Sequence, residues 1–439
     1  MKPALISLAR ASLIGVLLVP WLAVPAHAQL TVQITSGVTH PVPIAVVPFA
    51  EPASAGTDVA TVIQHDLTGS GRFSALPETQ MPAKPTHAAQ VQFPAWKATG
   101  SDYLVVGRIK PAGNGLAVDF NLLNVLTGQS VVRKRFTGPP SALRNAAHRI
   151  SDAIYQAITG IRGAFDTRIA YVAVVGRGAA QRFQLVVADA DGYNQHLILQ
   201  SRFPLMSPAW SPDGKWLAYV SFESHLSAVY VQRVRTGQRY RVSAQAGENG
   251  APAFSPHGKR LALTLSGVSG YPQIYVLNLE SHQLTRLTHT PAINTEPAWA
   301  PDGQSIYFTS DRAGQPQIYR IGVQPGSLPQ RITFTDNYNA GPNVSPDGKW
   351  LAMVTGVDGG YAIAVQNLAT GQFKVLTHGP LDSSPSFAPN GATLIYARRS
   401  MQGDPGSLAT ISLDGLTGLT LKPTHGAVQA PAWGPFPPN

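Results

Sequence analysis

Pro208-Ala-Trp-Ser-Pro-Asp-Gly-Lys-Trp-Leu-Ala-Tyr219 decides the fold, because it returns. It comes back as Pro252-Ala-Phe-Ser-Pro-His-Gly-Lys-Arg-Leu-Ala-Leu263, Pro297-Ala-Trp-Ala-Pro-Asp-Gly-Gln-Ser-Ile-Tyr-Phe308, Pro342-Asn-Val-Ser-Pro-Asp-Gly-Lys-Trp-Leu-Ala-Met353 and Pro385-Ser-Phe-Ala-Pro-Asn-Gly-Ala-Thr-Leu-Ile-Tyr396. A shortened copy opens at Pro431-Ala-Trp-Gly-Pro435, and the starts lie 44, 45, 45, 43 and 46 residues apart. A repeat of that length fits a four-stranded propeller blade. Each unit predicts one strand ending at the aromatic, a Pro-Asp-Gly turn, a second strand such as Trp216 to Ser221, a third such as Ile274 to Leu279, and a fourth such as Leu284 to Leu287. The Asp-Gly pair supplies the positive φ of a tight hairpin, and Thr236-Gly237 and Thr370-Gly371 repeat the device between the last two strands. Trp210, Phe254, Trp299, Phe387 and Trp433 recur at one position and read as packing between blades rather than as stacking platforms for a ligand.

The last copy stops after one strand, yet Arg168 to Tyr171, Phe183 to Ala188 and His196 to Leu199 match the second, third and fourth strands of a blade. Joining one C-terminal strand to these three closes a ring of six blades and leaves no open sheet edge at the seam.

Residues 29 to 160 read as an α/β (α+β) domain, and 161 to 167 as a linker to the propeller of 168 to 439. We expect a strand from Ile44 to Phe49, a helix capped near Thr57 with Val59, Ile63 and Leu67 inward, and strands at Tyr103 to Ile109, Leu116 to Asn124 and Ser130 to Phe136. A final helix runs from about Ser141 to Ile158, with Leu143, Ala146, Ile150, Ile154 and Ile158 as its core face. Ahead of these, Gln29-Leu-Thr-Val-Gln-Ile-Thr-Ser36 alternates apolar and polar residues without an obvious partner. It is either an edge strand or a segment free to extend another protein's sheet.

The chain has 439 residues, of which 44% are apolar and 13% charged, with 41 Gly and 37 Pro, a composition suited to many short strands and tight turns. Lys2 and Arg10, the apolar run Leu13 to Val24, and Ala26-His27-Ala28 make residues 1 to 28 a signal peptide cleaved after Ala28. Its apolar core, interrupted by Pro20 and Pro25, is short for a membrane span. Cleavage lowers the formal charge from +10 to +8, and no cluster of cations interleaved with aromatics points to nucleic acid. With no cysteine, disulfides, thiolate chemistry and lipid attachment are excluded.

No nucleophile elbow, zinc-protease motif, Walker loop or dinucleotide fingerprint is present, and no cofactor or metal is expected. His289, His378 and His425 each follow a threonine in matching places. They read as inherited turn residues because no second ligand recurs beside them. Ser310-Asp311-Arg312-Ala-Gly314 forms either a local ion pair or part of a channel mouth. Loops entering the innermost strands should ring one channel entrance. They are Leu205-Met206-Ser207, Glu248-Asn249-Gly250-Ala251, Asn294-Thr295-Glu296, Asn339-Ala340-Gly341, Asp382-Ser383-Ser384 and Val428-Gln429-Ala430. Such a rim suits a protein ligand.

The chain resembles the TolB family, the periplasmic component of the Tol-Pal system of Gram-negative bacteria. The most specific stretches are Pro41 to Phe49, Asp66-Leu-Thr-Gly-Ser-Gly-Arg-Phe73, Gly160 to Tyr171, Asp191-Gly-Tyr-Asn194 and Pro204 to Gly214. The resemblance implies a non-enzymatic adaptor that binds the lipoprotein Pal at the channel mouth and TolA through its mature N-terminus, supporting outer-membrane integrity and constriction at division. By motif, Ala251 and Thr295 fall at Pal-contact positions, with Met206, Ser207, Asn249 and Glu296 on the same rim; Glu248 stands where many relatives have histidine. The TolA-binding segment maps to Gln29, Leu30, Thr31, Val32, Gln33, Ile34, Thr35, Ser36 and Gly37, a stretch without charge. Two other classes remain: a propeller enzyme, against which the lack of a hydrolase-sized remainder counts, and a cell-wall glycan binder, against which the lack of a repeated exposed aromatic ladder counts.

Overall fold

The computed structural model describes residues 30–50, 56–267, 270–400 and 406–438. The leader, its cleavage site and Gln29 lie outside the described residues.

The N-terminal domain is built from β2 (Val42–Val46), α1 (Val59–Gly69), β3 (Phe73–Ala75), α2 (Phe93–Lys97), β4 (Tyr103–Ala112), β5 (Gly115–Asn124), β6 (Ser130–Gly138) and α3 (Leu143–Thr159); β1 (Leu30–Ser36), which precedes them, leaves the domain. The sheet order is β3-β2-β4-β5-β6, with β2 parallel to both neighbours and the β4-β5-β6 meander antiparallel. Helices α1 and α3 cover one face, where Ile63, Leu67, Val118, Phe120, Ile150 and Ile154 form the core. The cap of α1 is Asp58 rather than Thr57, its Oδ1 accepting the Thr61 N–H at 3.0 Å. The buried face of α3 carries Ala147 and His148, while Ala146 and Ile158 are only partly buried, so this stripe sits slightly round the helix from the expected one. Between β3 and β4, a segment of short 3₁₀ turns and α2 lays Trp96 over part of the other sheet face, a cover the apolar pattern does not foretell.

The propeller has six blades. The first joins β7 (Arg168–Val175), β8 (Arg182–Asp189) and β9 (His196–Ser201) to the closing strand Ala427–Trp433, which pairs with β7 from Ala427↔Val174 to Trp433↔Ile169. Blades two, three and four are four-stranded meanders beginning at Leu205, Asn249 and Asn294, and blades five and six, beginning at Asn339 and Leu381, touch through a Tyr361↔Leu381 bridge. Repeated devices stitch the ring. Trp210 Nε1–H donates to the Ala432 carbonyl at 3.1 Å and Trp299 Nε1–H to the Ala253 carbonyl at 3.0 Å, while the Trp433 backbone N–H donates to Ser386 Oγ of blade six at 3.0 Å. Arg168 lies over Trp210 and Arg260 over Trp299, and each guanidinium also donates to a glycine carbonyl, Gly214 or Gly303, of the neighbouring blade. The indoles of Trp210 and Trp299 are thus inter-blade joints. In the turns, Ser211 Oγ donates to Asp213 Oδ1 at 2.6 Å and accepts the Trp216 N–H at 2.9 Å, which holds the Pro-Asp-Gly corner, with Gly214 at φ 65°.

Candidate protein-binding sites

The innermost strand of every blade carries a β-bulge just after its start, and at each bulge one residue is left-handed: Ser207, Ala251, Glu296, Gly341, Ser384 and Ala430, with φ between 44° and 61°. Only Gly341 reaches that region without a Cβ penalty; the other five store backbone strain at one ring of positions. All six line the central channel, whose volume is about 400 Å³, and each precedes the proline that opens the repeat.

The residues expected at this mouth divide by exposure. Met206, Glu248 and Glu296 are exposed and Ser207, Ala251 and Thr295 half-buried, and all six lie on the consecutive blades two, three and four. Glu296 bridges blades, its carboxylate accepting Thr309 Oγ1–H at 2.8 Å and the Gly341 N–H at 2.9 Å. Thr295 Oγ1 lies 3.4 Å from Thr264 Oγ1 of blade three. Asn249 does not join them. It is fully buried, its Oδ1 accepting Ser243 Oγ–H at 2.7 Å and the Gln245 N–H at 2.9 Å while its amide donates to the Gln245 and Gly247 carbonyls. Its side chain is a loop clip, and Asn294, Asn339 and Asp382 are buried at the same place in their blades. Asp311 and Arg312 make no ion pair with each other. Asp311 accepts the Ile293 N–H at 2.8 Å, and Arg312 donates to Asn294 Oδ1 at 2.5 Å while covering the Tyr319 ring. His289, His378 and His425 are exposed in separate blades; the preceding Thr288 and Thr377 cap the Ile274 and Ile363 N–H groups, so threonine is the structural half of that repeat.

The N-terminal stretch is an edge strand: β1 pairs antiparallel with the outer strand Gly418–Pro423 of blade six, from Leu30↔Pro423 to Ile34↔Leu419, and makes that blade five-stranded. It is lightly held. Leu30 is buried against Leu421 and Ile169, Val32 is half-buried, and Ile34 is 50% exposed. Two glycines make room for it: a Cβ on Gly192 would stand 3.0 Å from the Leu30 Cβ, and one on Gly71 would stand 2.9 Å from the Ser36 carbonyl oxygen. The Asp66–Phe73 and Asp191–Asn194 motifs therefore meet under β1.

They also meet at a cluster that the motifs alone do not reveal. His148 of α3 is 1% exposed, its Nδ1 2.8 Å from Asp66 Oδ2 and its Nε2 3.8 Å from Asp189 Oδ2. Arg144 donates to Asp189 at 3.0 Å, pairs with Asp191, and lies 4.7 Å over the Tyr193 ring. Burial works against a charge on His148, but Asp66, Asp189 and Asp191 outweigh it and raise its pKa to about 10. Asp66, His148 and Asp191 bring three donor atoms within 4.8 Å of one another; Arg144 and the imidazolium offset most of the charge of Asp66, Asp189 and Asp191, an ion-pair lock between the domains. Arg72–Asp414 adds a second interdomain pair.

The same organisation is found in known proteins. Residues 155–437 match the model of the TolB beta propeller domain and residues 30–131 that of the TolB amino-terminal domain. The Tol-Pal system protein TolB of Methylococcus capsulatus is 52% identical over 408 residues, covering 93% of this chain and 95% of that protein. Its counterpart in Xanthomonas oryzae pv. oryzae is 48% identical over 427 residues, covering 96% of each. The crystal structure of TolB from Acinetobacter baumannii superposes with a TM-score of 0.86 at 40% identity, covering 93% of this chain and all of that one. The chain belongs to the TolB family of Tol-Pal system proteins.

Proposed function

We propose that this Tol-Pal system protein is a periplasmic, non-enzymatic adaptor that binds Pal at the propeller channel mouth and TolA through the N-terminal segment 29–37, serving outer-membrane integrity and constriction during division. The observation that carries the reading is the rim. Met206, Ser207, Glu248, Ala251, Thr295 and Glu296 lie on three consecutive blades, and Ser207, Ala251 and Glu296 belong to the ring of left-handed corners, five of them strained, that lines a channel of about 400 Å³. Backbone strain concentrated at one ring of positions belongs to sites that recognise something. Asn249, buried beneath the rim residues, holds the loop that carries Glu248 and Ala251.

The TolA half of the reading draws on β1, a strand with only one fully buried apolar side chain, which can leave blade six at the cost of a short ladder. A segment engaged with blade six cannot at the same time extend a partner's sheet, so docking and TolA binding compete. Pal at the mouth biases that competition in this reading.

Titration calorimetry of residues 29–439 against the soluble domain of the organism's own Pal tests the first half, with Thr295→Arg as the blocked variant. Tight binding lost on substitution is expected, and a folded wild type that does not bind rejects the reading. Titration of TolA with and without saturating Pal tests the coupling; equal affinities sink it.

A further inference from the structure

The uncovered part of the N-terminal sheet carries a concentration of positive charge that neither partner assignment uses. Across β4, β5 and β6 the register is Val106↔Asn121↔Arg133, Arg108↔Asp119↔Arg135 and Lys110↔Ala117↔Thr137. Side chains alternate along strands, so Arg108, Lys110, Arg133 and Arg135 share the face opposite α1 and α3, with Asp119 in their midst. Asp119 lies 3.2 Å from Lys110 Nζ and 3.6 Å from Arg108 Nε, and pairs in bidentate fashion with Arg135. The cations hold its carboxyl down at about 2, the Arg135 hydrogen bond contributing most, so it is ionised throughout the physiological range.

One carboxylate cannot neutralise four cations. Arg133 is exposed and makes no hydrogen bond or ion pair among the described residues, and Arg108 and Lys110 remain 45% and 40% exposed at the side chain. Lys134, paired with Phe120, points to the opposite face of β6 and takes no part in this array. Beside them, Arg108, Asn121 and Arg133 border a groove of about 320 Å³ under the loop of Thr86 to Ala89. The cations span three strands, about 4.8 Å apart, and alternate positions about 6.8 Å apart along a strand. That area exceeds one phosphate group, it has no enclosing wall over most of its extent, and guanidinium forks match phosphate oxygens in pairs.

We propose that this face binds an anionic, phosphate-bearing lipid surface. Asp119 holds the cations apart in an ordered array, and the uncompensated charges meet several headgroups at once. A lipid surface fits better than a single free phosphate because the array is exposed and several charges wide. The inference stands without the Pal and TolA assignments.

The test is co-sedimentation of the full mature chain with vesicles of phosphatidylcholine alone and of phosphatidylcholine mixed with phosphatidylglycerol, at low and high salt. Binding to the mixed vesicles only, weakened by salt, is expected. The double variant Lys110→Gln/Arg133→Gln should lose about fivefold in partitioning per cation removed. The variant Arg235→Gln/Lys259→Gln, with the same loss of net charge on the propeller, should keep its partitioning. Equal loss in the two variants overturns the proposal, since net charge would then be responsible, as does absence of binding to the mixed vesicles, which would leave the cations as guards of an exposed strand edge. Saturable binding of inorganic phosphate, or of poly-glutamate, that the first variant abolishes while vesicles remain unbound assigns the face to a small anion or an acidic polypeptide and overturns the lipid assignment.

Discussion

Replacing His148 with leucine tests the interdomain lock most directly. In the folded chain the imidazolium is held between Asp66 and Asp189, with its pKa raised from 6.5 to about 10. A folded-state pKa above the unfolded value gives stability that is fully present below 6.5 and is lost as pH rises through about 10. The gap between those values, at 1.36 kcal/mol per unit, sets an upper scale of about 5 kcal/mol. Since removing one member of a buried pair costs on the order of 3 to 5 kcal/mol, His148→Leu should lower stability at neutral pH by an amount in that range. Asp66 would be left without its imidazolium partner, and Arg144 would face Asp189 and Asp191 alone. Urea denaturation followed by tryptophan fluorescence, run on both proteins from slightly acid to strongly alkaline pH, reads the effect. Wild type should lose stability across the window while the variant, less stable at the acid end, approaches it at the alkaline end. Parallel curves with a constant offset would refute the reasoning, because the deficit would then be one of packing rather than of a bound proton.

Three further outcomes follow from the geometry. Burial raises the Asp152 carboxyl to about 7 although it accepts the Phe165 and Asp166 N–H groups, so the native state binds this proton more tightly than the unfolded chain and stability falls as pH rises from 3.8 to about 7. Asp152→Asn should therefore gain on wild type between weakly acid and neutral pH, and a stability difference independent of pH across that range speaks against the assignment. Ala251→Gly removes a Cβ from a left-handed corner at φ 44° and should raise propeller stability by about 0.5–1 kcal/mol, visible as a small upward shift in Tm; a fall in Tm would show that the corner is unstrained. Leu30→Asp puts a charge where β1 meets Leu421 and Ile169, and should expose the Gly418–Pro423 amides that face β1 to hydrogen exchange while leaving the propeller's own midpoint nearly unchanged. Retained protection there would mean that the ladder alone holds the strand.

Much of this was written in residues whose local meaning is fixed. The Pro-Asp-Gly corners carry their turn chemistry in their identities, so the blades and the seam between Ala427–Trp433 and β7 follow from spacing. The rim positions are legible only by register with those corners, because Ser207, Ala251 and Glu296 do not announce a left-handed backbone as Gly341 does. Asn249 shows the limit of that method: register places it in the loop, but composition does not tell an exposed side chain from a buried clip. The alternation of β1 marks a strand without naming its partner, since Gly418–Pro423 lies at the other end of the chain. The clustering of Asp66, His148 and Asp191 is hidden in the sequence for a similar reason: each sits in a separate segment, and only tertiary packing brings their charges together.

The seam has a kinetic meaning as well. Ile169 meets Trp433 across nearly the whole propeller sequence, the sort of contact whose loop-closure entropy must be met before any reward arrives. Until it forms, β7 offers an unpaired inner edge, and residues 427–433 of a second molecule match that edge in the same register as its own. Refolding at high concentration should accordingly divert part of the population into strand-exchanged dimers, whose return to monomer requires opening a blade and is slow.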